Sequence, residues 1–303
     1  MDGFHVQVEG HSLELSNLDK VMYPETGFTK AQVIDYYTRI ADVMLPHLEG
    51  RPVTLKRYPD GVTGQFFFEK ECPTFHPEWV NTTTYTSKNV RGMVNYCVVD
   101  NLPTLIWLAN LAALELHTLL SLKQETARPT FVAFDLDPGS PADVLDSAWA
   151  ALRLRELLED AGLECVPKVS GSKGIHVCVP LNTPVDYEAT KRFAHAIAML
   201  LERTYPDRMT SVMSKAVRGG KVFVDWSQND PHKTTVCVYS LRARPRPLVS
   251  APVTWDELEE AREGKNPDAL AFEAWEALKR AEDHGDIFSK LLTLEQTLPN
   301  LKG

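Results

Sequence analysis

Three features of the sequence predict an α/β protein. Short β-branched runs alternate with stretches of helical period, and no repeat, low-complexity run or long linker interrupts the alternation. The hydrophobic content, 44% of 303 residues, suffices for one large core or two modest lobes. Neither the start, MDGFHVQVEG, nor any later segment offers a signal-peptide core or ~18 uninterrupted apolar residues, so a cytoplasmic protein without membrane insertion is expected. Five cysteines, Cys72, Cys97, Cys165, Cys178 and Cys237, are scattered with no CxxC pair, which fits a reducing compartment and speaks against a structural zinc.

The elements follow in order. A first helix is predicted from Thr29, where Thr-Lys-Ala-Gln has capping-box spacing; it carries Ile34, Tyr37, Ile40, Ala41 and Met44 on one face and stops before Gly50. The apolar segment LIWLANLAALELH reads as a buried helix with His117 at its polar end. Further helices are predicted over about Ala142–Asp160, Tyr187–Arg203 and after Thr254, where Thr-Trp-Asp-Glu repeats the capping box. Three strands lie among them: FVAFDLD, GIHVCVP and KVFVDW.

Charge is uneven along the chain. The formal net charge is -9, yet Arg208 to Arg246 holds eight basic residues against two acids, while Pro247 to the end holds twelve acids against six bases. An acidic tail region thus masks a basic central one, and the local field decides whether a polyanion binds.

Side chains alternate faces along a strand, so Asp135 and Asp137 share one face of FVAFDLD while Phe134 and Leu136 take the other. In KVFVDW, Asp225 lies opposite the Val222 and Val224 face. On its own, Asp-x-Asp also fits a strand end in which an Asp caps a turn before Pro138 and Gly139. Three carboxylates on neighbouring strands of one sheet, however, would repel unless a cation lay among them. Oxygen ligands without clustered thiols favour Mg²⁺ or Mn²⁺, and two such ions serve in-line displacement at phosphorus.

Between two strands, Ser170, Gly171, Ser172, Lys173 and Gly174 form a turn whose backbone N–H groups could cup an anion, with Lys173 adding a point charge. The turn lacks the Walker A pattern. His176 follows one step inside, on the same strand face as Cys178, within reach of a phosphate oxygen. Asp-x-Asp also opens haloacid-dehalogenase-type phosphatases, but that pattern wants Thr or Val where Gly139 stands.

FDLDP, SGSKGIH and VFVDWSQN, in this order and at these separations, resemble the three motifs of the primase-polymerase superfamily, and more specifically the polymerase domain of bacterial and archaeal ligase D. The resemblance runs from about Leu13 to about Glu263 and takes in NLDKVMYP, GRPVTLKRYPDG, FFFEK, KAVRGGKVFVDWSQN and YSLRARPR. It implies two packed lobes of one catalytic unit, about 1–125 and about 126–303, the second an RRM-like sheet carrying two Mn²⁺ or Mg²⁺ ions on Asp135, Asp137 and Asp225. By the same resemblance Ser170, Ser172, Lys173 and His176 contact the triphosphate. Arg242 and Arg244, alternating on YSLRARP, add further contacts; Lys56 is a nucleotide-site lysine and His117 stands close to the metal centre. Gln228 stands where some members carry an arginine for the triphosphate. Phe67 and Phe68 are implied to stack on the template, Asn17, Lys20 and Lys30 to hold a downstream 5′-phosphate, and Arg218 to order the active site and the DNA.

The implied function is extension of 3′-hydroxyl ends at gaps and double-strand breaks with ribo- or deoxynucleoside triphosphates during non-homologous end joining. Expected partners are DNA with 5′-phosphate ends, a Ku-like protein, and ligase and phosphoesterase activities on separate chains, in the nucleoid. A dedicated primase working de novo and a non-catalytic DNA end-bridging module are the rival readings; the carboxylate triad speaks against the second.

Overall fold

The computed structural model describes residues 3–86 and 92–299. The chain forms two compact units: residues 1–119, 234–250 and 273–285 make the first, and residues 120–233, 251–272 and 286–303 the second. The chain thus returns twice to the first unit.

In chain order the elements are β1 (Phe4–Val8), β2 (His11–Leu15), β3 (Val21–Tyr23), β4 (Phe28–Thr29), α1 (Lys30–Leu48), β5 (Pro52–Arg57), β6 (Phe67–Glu69), β7 (Thr82–Thr86), β8 (Met93–Val98), α2 (Leu102–Asn110) and β9 (Ala113–Leu119). They continue as β10 (Phe131–Pro138), α3 (Val144–Asp160), β11 (Val166–Val169), β12 (Ile175–Pro180), α4 (Tyr187–Thr204), β13 (Met209–Thr210), β14 (Val222–Asp225), β15 (Thr234–Val236), α5 (Trp255–Glu263), α6 (Ala274–His284) and α7 (Lys290–Thr293). Among the described residues, no helix is long and apolar enough to cross a membrane.

In the first unit a six-stranded sheet runs β15-β9-β5-β8-β7, with β6 added on β5. Helix α1 begins as its local chemistry dictates: Thr29 Oγ1 accepts from the Gln32 N–H while Gln32 Oε1 accepts from the Thr29 N–H. Its buried face, Tyr36, Tyr37, Ile40, Met44 and Leu48, lies in the core with Tyr23, Leu55 and Leu105. Each such side chain contributes about 1.5–3 kcal/mol on burial. The helix expected through His117 ends instead at Asn110; Ala112 takes a φ of 59°, and the chain re-emerges as strand β9, paired with both β5 and β15. His117 therefore sits on a strand.

The second unit's sheet has the order β11-β12-β10-β14-β13, antiparallel except for β13 with β14, and α3 and α4 pack against β10. Fully buried Phe134, Leu136 and Val224 alternate with the Asp positions as the period of two requires. Capping boxes open α3 at Asp143 and α5 at Thr254. Cysteine usage departs from expectation: Cys72 and Cys97 form a disulfide with Cα atoms 4.9 Å apart. The Cys72 N–H donates to the Asn95 carbonyl, which lays the segment after β6 against β8, a juxtaposition that sequence spacing does not reveal. Cys165, Cys178 and Cys237 are buried free thiols.

Candidate active site

Backbone register gathers the carboxylates in the second unit. Asp135 of β10 is the direct partner of Asp225 on β14 and of His176 on β12, and His176 is in turn the partner of Lys168 on β11. Direct antiparallel partners share a face, so Lys168, His176, Asp135 and Asp225 form one row across four strands, with Asp137 two residues along β10 on the same face. Lys168, buried in this row, escaped the sequence reading; its only signal was a position two residues before Ser170 in the strand.

Protein donors already occupy two of these acids. His176 Nε2 lies 3.3 Å from Asp135 Oδ1. Asp225 Oδ1 accepts from the Ser227 N–H at 2.9 Å and the Ser227 hydroxyl at 2.6 Å, and Asp225 Oδ2 from Gln228 Nε2 at 3.3 Å. Among the described residues no three His, Cys, Asp or Glu side chains stand ready to hold a metal ion. The donor set is nonetheless all oxygen and the backbone register correct for a hard divalent cation, and Gln228 Oε1 is buried beside it with no hydrogen-bond partner.

Asn229 fixes that turn. Strand β14 stops at Asp225, and where the ladder would continue the Asn229 amide pairs with both backbone groups of Ala133, accepting from its N–H at 2.9 Å and donating to its carbonyl at 2.8 Å. The side chain substitutes for a strand residue, an arrangement that VFVDWSQN does not announce.

The turn at Ser170 differs from expectation. The Ser172 and Gly174 N–H groups donate to Ser170 Oγ, at 3.3 and 3.2 Å, so they close the turn on itself instead of facing an anion. Ser172 and Lys173 project into solvent. Two glycines permit the close approach of turns to strands. A Cβ on Gly174 would lie 2.6 Å from the Leu136 carbonyl oxygen and 3.2 Å from Asp137 Oδ1, and one on Gly139 only 2.0 Å from the Arg218 carbonyl oxygen. Arg218 donates to the Met213 carbonyl at 2.5 Å and lies 3.5 Å over the Phe223 ring.

The first unit carries its own cationic face. Lys56 on β5 is the register partner of Glu115 on β9 and of Phe68 on β6, and Thr54 is the partner of His117. Sequence reasoning passed over Glu115, although period two places it on the His117 face. The loop expected to be a strand through Arg242 and Arg244 is a series of turns, with the Arg244 N–H donating to the Arg242 carbonyl, because Pro245 and Pro247 cannot donate to a ladder. Arg242 Nε lies 3.3 Å from Glu115 Oε2. Phe66, Phe67 and Phe68 are all exposed; the Lys56 ammonium lies 4.4 Å over Phe66, the Arg57 guanidinium 5.2 Å from Phe67, and Phe68 meets His117 edge to face.

Around the start of α1 the loop from Asn17 to Lys20 folds back as expected, but the helix amides are taken: the Lys30 and Ala31 N–H groups donate to the Lys20 and Leu18 carbonyls. Any anion here must be held by side chains. Lys30, expected at a surface helix start, is 5% exposed and donates to the Ser16 carbonyl at 2.7 Å. Burial, then the like charges of Lys20 and Arg57, push its ammonium down to about 8. Lys20 pairs with Asp60 at 2.8 Å, and Asn17 is exposed with a φ of 53°.

The family model described as "LigD, primase-polymerase domain" matches residues 29–288. The chain is 41% identical over 281 residues to the multifunctional non-homologous end joining protein LigD of Mycolicibacterium smegmatis, covering 92% of this chain and 36% of that protein. It is 33% identical to the bifunctional non-homologous end joining protein LigD of Bacillus subtilis, covering 84% of this chain and 42% of that one. The polymerase domain of Mycobacterium tuberculosis ligase D, solved in complex with DNA, superposes with a TM-score of 0.86 at 39% identity, covering 94% of this chain and 99% of the other. The chain therefore spans well under half of the curated relatives it matches, and it belongs to the LigD primase-polymerase family.

Proposed function

We propose that this chain extends 3′-hydroxyl ends at gaps and double-strand breaks with nucleoside triphosphates, as the polymerase component of non-homologous end joining. The observation that carries the reading is the direct register of Asp135 with Asp225, with Asp137 on the same face, inside the span matched by the family model. Asp135, Asp137 and Asp225 would hold two Mn²⁺ or Mg²⁺ ions, which when bound neutralise triphosphate charge and acidify the attacking hydroxyl. Lys173, exposed on its turn, and His176, beside Asp135, are the second unit's groups for phosphate oxygens. Ser170 shapes that turn through its hydroxyl, and Gln228 offers a buried carbonyl oxygen next to the acids. In the first unit Lys56, His117, Arg242 and Arg244 supply cations and donors for the triphosphate, exposed Phe67 and Phe68 supply rings on which template bases stack, and Lys20 and Lys30 receive a 5′-phosphate. Ribonucleotide use, a Ku-like partner, and cooperation with ligase and phosphoesterase activities complete the proposal.

Primer extension on gapped DNA, with single ribo- and deoxynucleotides and added Mn²⁺ or Mg²⁺, tests the reading. Wild type extends the primer; Asp135→Ala, Asp137→Ala and Asp225→Ala do not, while binding gapped DNA as wild type does. Extension above a few per cent in any of the three refutes the assignment. Synthesis on a template without primer would transfer the chain to the dedicated primases.

A further inference from the structure

Glu115 is the acid at the centre of the first unit's cationic face. It is 2% exposed; three hydrogen-bond donors and, as an ion pair, the Arg242 guanidinium approach its two oxygens. The Ala243 N–H and the Lys56 ammonium approach Oε1 at 3.0 and 3.5 Å; His117 Nε2 and Arg242 Nε approach Oε2 at 2.9 and 3.3 Å. Burial works to raise the pKa of this carboxyl, but the His117 hydrogen bond and the charges of Arg242, His117 and Lys56 outweigh it and hold it at about 2. Glu115 is thus ionised throughout the useful pH range. For His117, burial dominates and lowers the pKa despite the Glu115 bond, so at neutral pH the imidazole is a neutral donor.

One carboxylate needs one counter-charge, and this one has two, Lys56 and Arg242, beside a neutral histidine. The cluster therefore keeps a surplus positive charge. Neither cation forms a short charge-assisted bond of ~2.7–2.9 Å to Glu115, and an ammonium has three donors, so Lys56 can serve a second oxygen acceptor. The same carboxylate fixes backbone as well as side chains, since Oε1 takes the N–H of Ala243, between Arg242 and Arg244.

We propose that Glu115 is a positioning residue for the incoming triphosphate. It holds Lys56, His117, Arg242 and the 242–244 backbone as one donor array before the nucleotide arrives. The inference rests on the nucleotide-addition reading and names a residue which that reading does not require.

Simple electrostatics and positioning predict opposite signs. Removing a negative charge from a phosphate site should tighten phosphate binding if Glu115 only dilutes the positive field; it should weaken binding if the carboxylate builds the array. The test is calorimetric binding of inorganic tripolyphosphate and of magnesium–ATP to the full chain, in wild type, Glu115→Gln and Glu115→Asp. We expect at least tenfold weaker binding in Glu115→Gln, an intermediate loss in Glu115→Asp, and gapped-DNA affinity within twofold of wild type. The ¹⁵N signal of His117 Nε2 should shift in Glu115→Gln, which a remote folding defect would not cause selectively. Unchanged or tighter tripolyphosphate binding in a folded Glu115→Gln overturns the proposal. Should that variant fail to fold, unchanged binding in Glu115→Asp overturns it equally. A wild type that binds tripolyphosphate through Glu115 yet adds no nucleotide would refute the function proposed above and leave this inference standing; extension indifferent to Glu115 would do the reverse.

Discussion

If the proposed 5′-phosphate pocket holds, Lys30 should make the preference for a 5′-phosphate depend on pH. Its pKa of about 8 reflects burial and the repulsion of Lys20 and Arg57, both relieved by an anion. Because the folded value lies below the ordinary 10.5, the cost of burying the charged form is fully present below pH 8 and is relieved as pH rises from 8 towards 10.5. Binding a phosphate works against that drift, since the bound dianion keeps Lys30 protonated while the free protein loses the proton above pH 8. A terminal phosphate has its second pKa near ~6 and is a dianion across the whole window. Between pH 7 and 9 the free lysine passes from about nine-tenths to about one-tenth protonated, so the affinity ratio for 5′-phosphate over 5′-hydroxyl DNA should fall about tenfold. The Lys20–Asp60 pair must open for Lys20 to take part, but it is exposed and costs only about 0–1 kcal/mol to break. Fluorescence anisotropy on gapped duplexes at fixed ionic strength measures the ratio, and the 5′-hydroxyl DNA removes backbone binding that salt would otherwise vary. Lys30→Arg should keep the preference and lose its pH dependence, and Lys30→Met should lose both. A wild-type ratio that stays flat from pH 7 to 9, or one that still falls in Lys30→Arg, refutes the reasoning.

Three further outcomes are expected. Gly174→Ala forces a methyl against the Leu136 carbonyl at 2.6 Å, backbone that cannot swing aside, so the turn should shift at about 1–3 kcal/mol with primer extension reduced; unaltered activity would show that the turn has slack. Asn229→Ala leaves both backbone groups of Ala133 without their partner, which at about 1–3 kcal/mol each should lower the denaturant stability of the second unit markedly, and a change below about 0.5 kcal/mol would mean that water replaces the amide. Reduction of Cys72–Cys97, which closes a separation of 25 residues, should destabilise the first unit by about 3 kcal/mol, seen as a lower melting temperature with reductant that Cys72→Ser no longer shows.

What could be read in the sequence was what its local chemistry decides. Thr29 and Thr254 open helices because the hydrogen bonds that start them lie within four residues, and Asp135 and Asp137 share a face because a strand has period two. LIWLANLAALELH failed for a matching reason. Nearly every residue is apolar, so neither a period of two nor one of 3.6 stands out, and Leu and Ala favour a helix. Strand β9 forms because β5 and β15 lie on either side of it, and β15 comes from more than a hundred residues later in the chain. The return of 234–250 and 273–285 to the first unit was hidden by the same non-local pairing. YSLRARPR alternates like a strand, but Pro245 within it and Pro247 just after it remove donors that a strand would need.

The row of acids raised the question of how like charges are tolerated side by side, and the structure divides the answer. Asp135 leans on His176, and Asp225 turns back on the hydroxyl and N–H of Ser227, so the protein satisfies these two with its own donors. Neutral hydroxyl and N–H donors hold a carboxylate less tightly than fixed cations do, which suits an acid proposed to face a cation. Glu115 is the opposite case: a carboxylate held ionised by two fixed cations and a histidine has no reason to let go. Residue type alone would class all four acids together. Their partners separate an acid that can be recruited from one that builds the scaffold, and partners are decided by strand register, with Asp135 opposite Asp225 in one sheet and Lys56 opposite Glu115 in the other.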